Sequence, residues 1–262
     1  MVSLALKLAL SPLLVAQALR TRARVPRLPE PAGSRIGTHG RCATRLRVLV
    51  AGDSSAAGVG VALQDDALAG QLVPLLAERC AVGVQWMLCA RTGLTTAQMF
   101  GLLQVTELPV VDLAIVATGV NDVVDQVGSL RAVRARDHIA NLLRNRVGAQ
   151  HVVFSPLPPI HQFPALPQPL RWMAGADALR HNRALRAWAA ERGARSGDVS
   201  TLKLDHVHLN RDNMASDGFH PGPPVYRAVA QALAEHIARD VMPRLRLETL
   251  NEETTPWPPR ER

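Results

Sequence analysis

Hydrophobic positions in this chain fall into short continuous runs separated by longer stretches of mixed polarity. Leu46–Ala51, Val82–Leu88, Leu113–Ala117 and His151–Ser155 are dominated by apolar residues. Short runs of this kind predict strands buried on both faces. A weaker fifth run lies at Val199–Leu204. Between the runs, Asp66–Arg79, Thr95–Thr106, Leu130–Arg146 and Ala176–Arg192 carry helical patterns, and Pro223–Arg239 closes the series. Strands alternating with helices predict an α/β fold, a parallel sheet covered on both faces. No internal repeat of solenoid length interrupts the series.

The ends of the chain follow other patterns. Residues 1–19 are apolar apart from Ser3, Lys7, Ser11 and Gln17, and Arg20, Arg22, Arg24 and Arg27 follow. A secretory signal would use the small residues at Ala16-Gln17-Ala18 for cleavage, but the positive charge lies mostly after the run instead of before it. A membrane span needs about 20 apolar residues, and Lys7 and Pro12 make this one marginal. An interfacial helix with an Arg-rich flank would bind anionic lipid. The competing reading is a hydrophobic helix packed on the domain. Residues 1–24 are therefore expected to associate with a membrane surface, by spanning it or lying on it. That favours a membrane or cell-envelope location over the free cytoplasm. Residues 25–44, rich in proline and glycine and without periodicity, read as a linker. Residues 45–242 read as the domain and residues 243–262 as a polar tail.

Composition adds limits. A length of 262 residues suits one large domain with appendages, and 47% hydrophobic residues suffice for its core. Aromatics are only 3%, so that core must rest on Ala, Leu and Val. The net charge is +8, and every basic residue except Lys7 and Lys203 is arginine. With the abundant alanine, this usage is what a GC-rich bacterial genome produces. Nucleic acid is not expected as a partner, because the arginines are dispersed and one Tyr and four Phe offer little for stacking on bases. Cys42, Cys80 and Cys89 are too few and too scattered for a disulfide framework, and Cys89 reads as a small buried hydrophobe.

In a parallel sheet, function gathers where strands end at their carboxyl edge. Gly52-Asp53-Ser54 follows the first strand, Thr92-Gly93 the second and Gly119-Val120-Asn121-Asp122 the third. The loop His161–Trp172 follows the fourth, and Asp217-Gly218-Phe219-His220 precedes the last helix. Each cluster alone reads equally well as a turn or a cap. Together they map to one edge. A serine hydroxyl becomes a nucleophile when a base lies within hydrogen-bond reach and a third group orients that base. Ser54, His220 and Asp217 are the candidates for those parts. The backbone N–H groups of Ser54 and Gly93 and the amide of Asn121 are candidate donors to a carbonyl oxygen that gains negative charge.

These residues resemble the SGNH/GDSL hydrolase family of lipases and esterases. The resemblance covers roughly Arg45–Arg239, and Ser54, Gly93, Asn121 and His220 match the four signature residues in order. It implies a flavodoxin-like three-layer α/β/α sandwich with a mostly five-stranded parallel sheet. It also implies a Ser54–His220–Asp217 triad and hydrolysis of esters or thioesters with no metal or cofactor. One departure is visible: Ser55 stands where the family name has leucine, which makes it a rival nucleophile, although the motif register favours Ser54. Asp53 and Asp122 read as supports for their turns.

The expected function is that of a serine hydrolase cleaving lipid or small acyl esters through an acyl-enzyme. An acyltransferase or thioesterase on the same site is the alternative within enzymes. A non-catalytic lipid- or carbohydrate-binding module is the alternative outside them. His206 and His208 follow Asp205, but the pattern forces no third metal ligand. His138, His151, His181 and His236 read as surface or helix residues. The Pro-rich loop 156–172 reads as a substrate-pocket wall or lid, or as a covering loop with no substrate contact.

Overall fold

The computed structural model describes residues 4–204 and 207–247. Its strands are β1 (Ile36–His39), β2 (Arg45–Gly52), β3 (Gly83–Ala90), β4 (Leu113–Ala117), β5 (His151–Phe154) and β6 (Val199–Thr201). They form one sheet in the order β1-β3-β2-β4-β5-β6. The pairs from β3 across to β6 are parallel, and β1 alone runs antiparallel, against β3. The five parallel strands have the doubly wound order in which the direction of winding reverses between β2 and β4. Ligand sites of such sheets lie in the crevice outside the carboxyl ends of those two strands.

The two faces of the sheet are set by alternation along β2. Leu46, Val48 and Val50 point into one cluster with Leu72 and Leu76 of α3 (Leu68–Cys80) and with Ala230 and Leu233 of α8 (Pro223–His236). Leu49 and Ala51 point the other way, toward Met99 of α4 (Thr96–Val105), Ile139 and Leu143 of α6 (Ser129–Val147) and Leu185 of α7 (Leu170–Ser196). These layers make the three-layer sandwich. A third cluster joins Leu157, Ile160, Phe163 and Leu166 to Met214 and Val225 beneath the loops at the carboxyl edge. Cys89 is buried, and all three cysteines are free thiols.

The segment expected to be a linker is not one. Residues 36–39 form β1, and Ala32 bridges Leu63 in parallel. Glu30 and Arg35 fasten the same segment to the end of β3: Arg35 Nη1 donates to Ala90 O at 2.9 Å, and Arg35 Nη2 pairs with Glu30 at 2.5 Å. Four residues, mostly exposed, carry no alternation to announce a strand; pairing with β3 creates it.

The first helix, α1 (Leu4–Arg24), rests against α7. Gln17 Nε2 donates to Gln168 O at 2.7 Å, and its Oε1 accepts from Leu170 N at 3.1 Å. Among the described residues no helix is long and apolar enough to cross a membrane. At the other end, α8 runs on into a π-helical turn at Ile237–Val241 and a 3-10 turn at Met242–Arg244. Leu245 and Leu247 pack against the core, and Arg246 exchanges two backbone hydrogen bonds with the Gln150 amide. The segment read as a polar tail therefore begins as part of the domain.

Candidate active site

Ser54 opens α2 (Ser54–Ala57), a single helical turn at the carboxyl end of β2. Asp53 caps that turn: its Oδ1 accepts from Ser55 N at 3.0 Å and from Ser55 Oγ at 2.7 Å. The Ser55 hydroxyl is thereby held by the cap. Ser54 Oγ instead faces His220 Nε2 at 3.1 Å, across 166 residues of sequence.

His220 is held from behind. Its Nδ1 lies 2.5 Å from Asp217 Oδ2, while Asp217 Oδ1 accepts the N–H of Phe219 and the N–H of His220, each at 2.9 Å. The carboxylate side chain is fully buried. Burial pushes Asp217 upward, but the bonds from the His220 ring and from the two backbone N–H groups outweigh it and hold the acid below its usual range. The Phe219 ring meets the His220 ring edge-on, with centroids 5.3 Å apart, and Phe163 of the Pro-rich loop meets Phe219 in the same way at 5.2 Å. Ala165 N donates to Gly218 O at 3.0 Å. The loop 156–172 thus buttresses the loop that carries Asp217 and His220.

Gly93 lies just beyond β3 with φ of +86°, and a Cβ there would meet nothing within 4 Å. The backbone at this point is open to a ligand, in a conformation that glycine adopts without strain. Glu30 pins the preceding residue: its Oε1 accepts from Thr92 N at 2.9 Å and from Thr92 Oγ1 at 2.7 Å. Asn121 sits on α5 (Val120–Val124), after β4. Its Nδ2 donates one of its two hydrogens to Leu94 O at 3.0 Å. Asp122 ties the two turns together, because it accepts from Thr96 N at 3.0 Å and from Thr96 Oγ1 at 2.5 Å.

Beneath these turns lies Arg136 of α6, which is 1% exposed. Its Nη2 donates to Thr118 O at 3.2 Å, whereas Nε and Nη1 find no partner among the described residues. A Cβ at Gly119, where φ is +131°, would come within 2.7 Å of Nη2, so the guanidinium lies directly against that glycine. Burial lowers the Arg136 pKa, and the fields of Asp122 and Asp53 oppose that shift. Burial raises Asp53, against the bonds from Ser55. Both carboxyls are as buried as the arginine. One buried cation therefore lies in the field of the two acids that shape the Ser54 turn and the Asn121 turn, and among the described residues it makes no close ion pair with either.

A cavity of about 60 Å³ adjoins the Ser54 turn, bordered by Ser55, Val120, Leu157, Pro221 and Val225. Pro156, Leu157 and Pro158 contribute to its wall, and neither Ser54 nor His220 borders it.

Sequence reasoning missed Arg136, Glu30 and His151. Arg136 falls on the buried stripe of α6 with Ala132, Ile139, Ala140 and Leu143, and that register was the available signal. His151 was expected at the surface or on a helix. It is instead a buried residue of β5, because its ring spans Gly197 O at 2.9 Å and Ser200 Oγ at 2.8 Å. His206 and Asp205 lie outside the described residues. Among the described residues no group of three or more His, Cys, Asp or Glu side chains could hold a metal ion.

The model of the GDSL-like lipase/acylhydrolase family matches residues 50–228. Among solved structures, a lipase from a goat rumen metagenome superposes with a TM-score of 0.58 at 16% identity, covering 74% of this chain and 98% of its own. A member of the lipolytic G-D-S-L family from Veillonella parvula gives 0.56 at 16% identity, with 74% and 99% covered. A family 3 carbohydrate esterase from Clostridium thermocellum gives 0.56 at 13% identity, with 74% and 95% covered. Likeness at these identities is likeness of fold. No curated protein sequence matches the chain.

Proposed function

The chain belongs to the GDSL-like lipase/acylhydrolase family, and from that premise we propose that it cleaves carboxylic esters with Ser54 as nucleophile, His220 as base and Asp217 as the group that orients His220. The observation that carries this reading is the continuous path from Ser54 Oγ through the His220 ring to Asp217, with contacts of 3.1 and 2.5 Å.

Ser54 Oγ attacks the ester carbonyl carbon as its proton passes to His220 Nε2. The carbonyl oxygen becomes an oxyanion, which the backbone N–H groups of Ser54 and Gly93 and the second amide hydrogen of Asn121 stabilise. Collapse of the tetrahedral species breaks the bond to the alcohol oxygen, and that oxygen takes the proton from His220. A water molecule then gives a proton to His220 and attacks the acyl carbon; the bond to Ser54 Oγ breaks as Oγ takes that proton back from His220, which releases the acid and restores Ser54. Asp217 keeps Nδ1 protonated, so that Nε2 presents its lone pair to Ser54, and it stabilises the imidazolium between the two steps. No step requires a metal.

A fluorophosphonate probe tests the reading directly. It should label Ser54, and Ser54→Ala should abolish both labelling and turnover of a short p-nitrophenyl ester while the fold persists. Labelling elsewhere, or full turnover by a folded variant, would overturn the assignment.

A further inference from the structure

α1 is apolar on two faces, but the protein covers one. Leu10, Leu14, Gln17 and Thr21 are half-buried at the spacing of a single helical stripe, and that stripe is seated on the start of α7 by the Gln17 amide. Half a turn around lie Val15 and Leu19, which are 57% and 64% exposed, in line with Pro12, Ala16 and Ala23. Leu13, on the flank, is 47% exposed. Trp172, two residues beyond the Leu170 that Gln17 holds, is 46% exposed. An uncovered apolar helix face beside an exposed tryptophan calls for a second apolar partner.

Charge identifies that partner. Residues 1–29 contain Lys7, Arg20, Arg22, Arg24 and Arg27 and no Asp or Glu, within a chain of net charge +8. Arg20, Arg22 and Arg24 are exposed on the last turns of α1. Arg20 and Arg22 flank the outward stripe on its two sides and Arg24 follows at the helix end, which matches the boundary between acyl chains and anionic headgroups.

We propose that the outward face of α1 docks on an anionic lipid surface, with Val15 and Leu19 entering the acyl boundary and Arg20, Arg22 and Arg24 meeting the headgroups. The seat of α1 gives the docking a bearing on the active site. Gln17 holds the loop 156–172, and the same loop holds Gly218 through Ala165 and packs Phe163 on Phe219, next to His220. Docking through α1 therefore acts on the element that backs the catalytic histidine. The proposal rests on α1 and not on the ester-hydrolase reading.

The test is co-sedimentation of the full chain with vesicles of phosphatidylcholine, alone or mixed with phosphatidylglycerol. Binding should be strong only with the anionic lipid and should weaken as salt screens the charges. Arg20→Glu/Arg22→Glu/Arg24→Glu should weaken it by about a hundred-fold or more, since each arginine near an anionic surface contributes a factor of about five. Val15→Asp/Leu19→Asp should abolish it. Both variants should keep the melting temperature of the parent, which separates lost docking from lost fold. Failure to bind anionic vesicles, equal binding to neutral ones or unchanged binding by either variant would overturn the proposal. So would a dimer in lipid-free solution that dissociates in Val15→Asp/Leu19→Asp while vesicle binding is absent, because a second copy would then be the partner. Loss of ester turnover in Ser54→Ala with vesicle binding intact leaves the two readings separately judged.

Discussion

The hydroxyl of Ser55 donates to Asp53 Oδ1 at 2.7 Å, so two adjacent serines at the end of β2 are committed to different partners. Only Ser54 faces an imidazole. Ser55→Ala should keep ester turnover within about ten-fold of the parent, whereas Ser54→Ala should lose roughly a thousand-fold or more. Steady-state hydrolysis of a p-nitrophenyl ester measures both. Equal losses would show that the cap serine, and not the cap alone, takes part in the chemistry.

Asp217 should matter through the tautomer of His220. In Asp217→Asn the two backbone N–H bonds have an acceptor still, but the amide can present its N–H group to Nδ1 and turn the ring proton toward Ser54. A loss on the order of ten-thousand-fold in kcat with little change in KM is expected. The carboxyl of Asp217 is held below its usual range, so it stays charged as the solution becomes mildly acid. Protonation of Asp217 should therefore leave kcat/KM untouched at mildly acid pH, and a kcat/KM profile whose acid limb is removed by Asp217→Asn would overturn this.

Arg136 should be a stability residue. Arg136→Met removes a buried cation that bonds Thr118 O and whose field reaches Asp53 and Asp122. Losing a buried hydrogen bond from a charged group costs about 1.5–3 kcal/mol. The urea midpoint should fall accordingly, and Arg136→Lys, which keeps the charge but not the reach to Thr118 O, should lie between the two. A loss below about 1 kcal/mol for Arg136→Met, the range of exposed ion pairs, would mean that the carboxyls do not depend on the guanidinium.

Histidine 151 predicts how stability follows pH. Burial lowers its pKa from 6.5 to about 4. Between those values the unfolded chain takes up a proton that the folded chain refuses. Its contribution is full above pH 6.5 and is lost as pH falls toward about 4, amounting to about 3 kcal/mol in all. Asp198, lowered to about 2 by its bonds from Arg192 and Ser196 against the effect of burial, adds a second loss below pH 3.8. Denaturation midpoints from neutral pH down to pH 4 should show the first slope, and His151→Asn should flatten it. An unchanged slope in a folded His151→Asn would assign the effect elsewhere.

The sheet and its flanking helices were legible because buried parallel strands must be continuously apolar, as Leu113–Ala117 is, and covering helices must repeat every three to four residues. The residues of the candidate site were legible because they follow strand ends, where few alternatives to a turn exist. Ser54 and His220 meet in space as their positions at one edge suggested. Arg136 was not legible, because an arginine on an otherwise amphipathic helix is ordinarily solvated; here α6 lies over the Gly119 turn and buries it. Glu30 and β1 were not legible because their structure comes from partners far along the chain, at Thr92 and Met87, and from nothing in the local pattern.

Ile36–His39 covers the outer edge of β3 from Val84 to Met87. A chain shortened to begin at Arg45, where the apolar pattern starts, would lose that cover. The backbone donors and acceptors of a strand carrying Trp86, Met87 and Leu88 would then be offered to any neighbouring molecule. Such a chain should keep every residue of the Ser54–His220–Asp217 path and still precipitate by edge-to-edge association. The stretch that resembles a linker is thus what keeps the sheet finite.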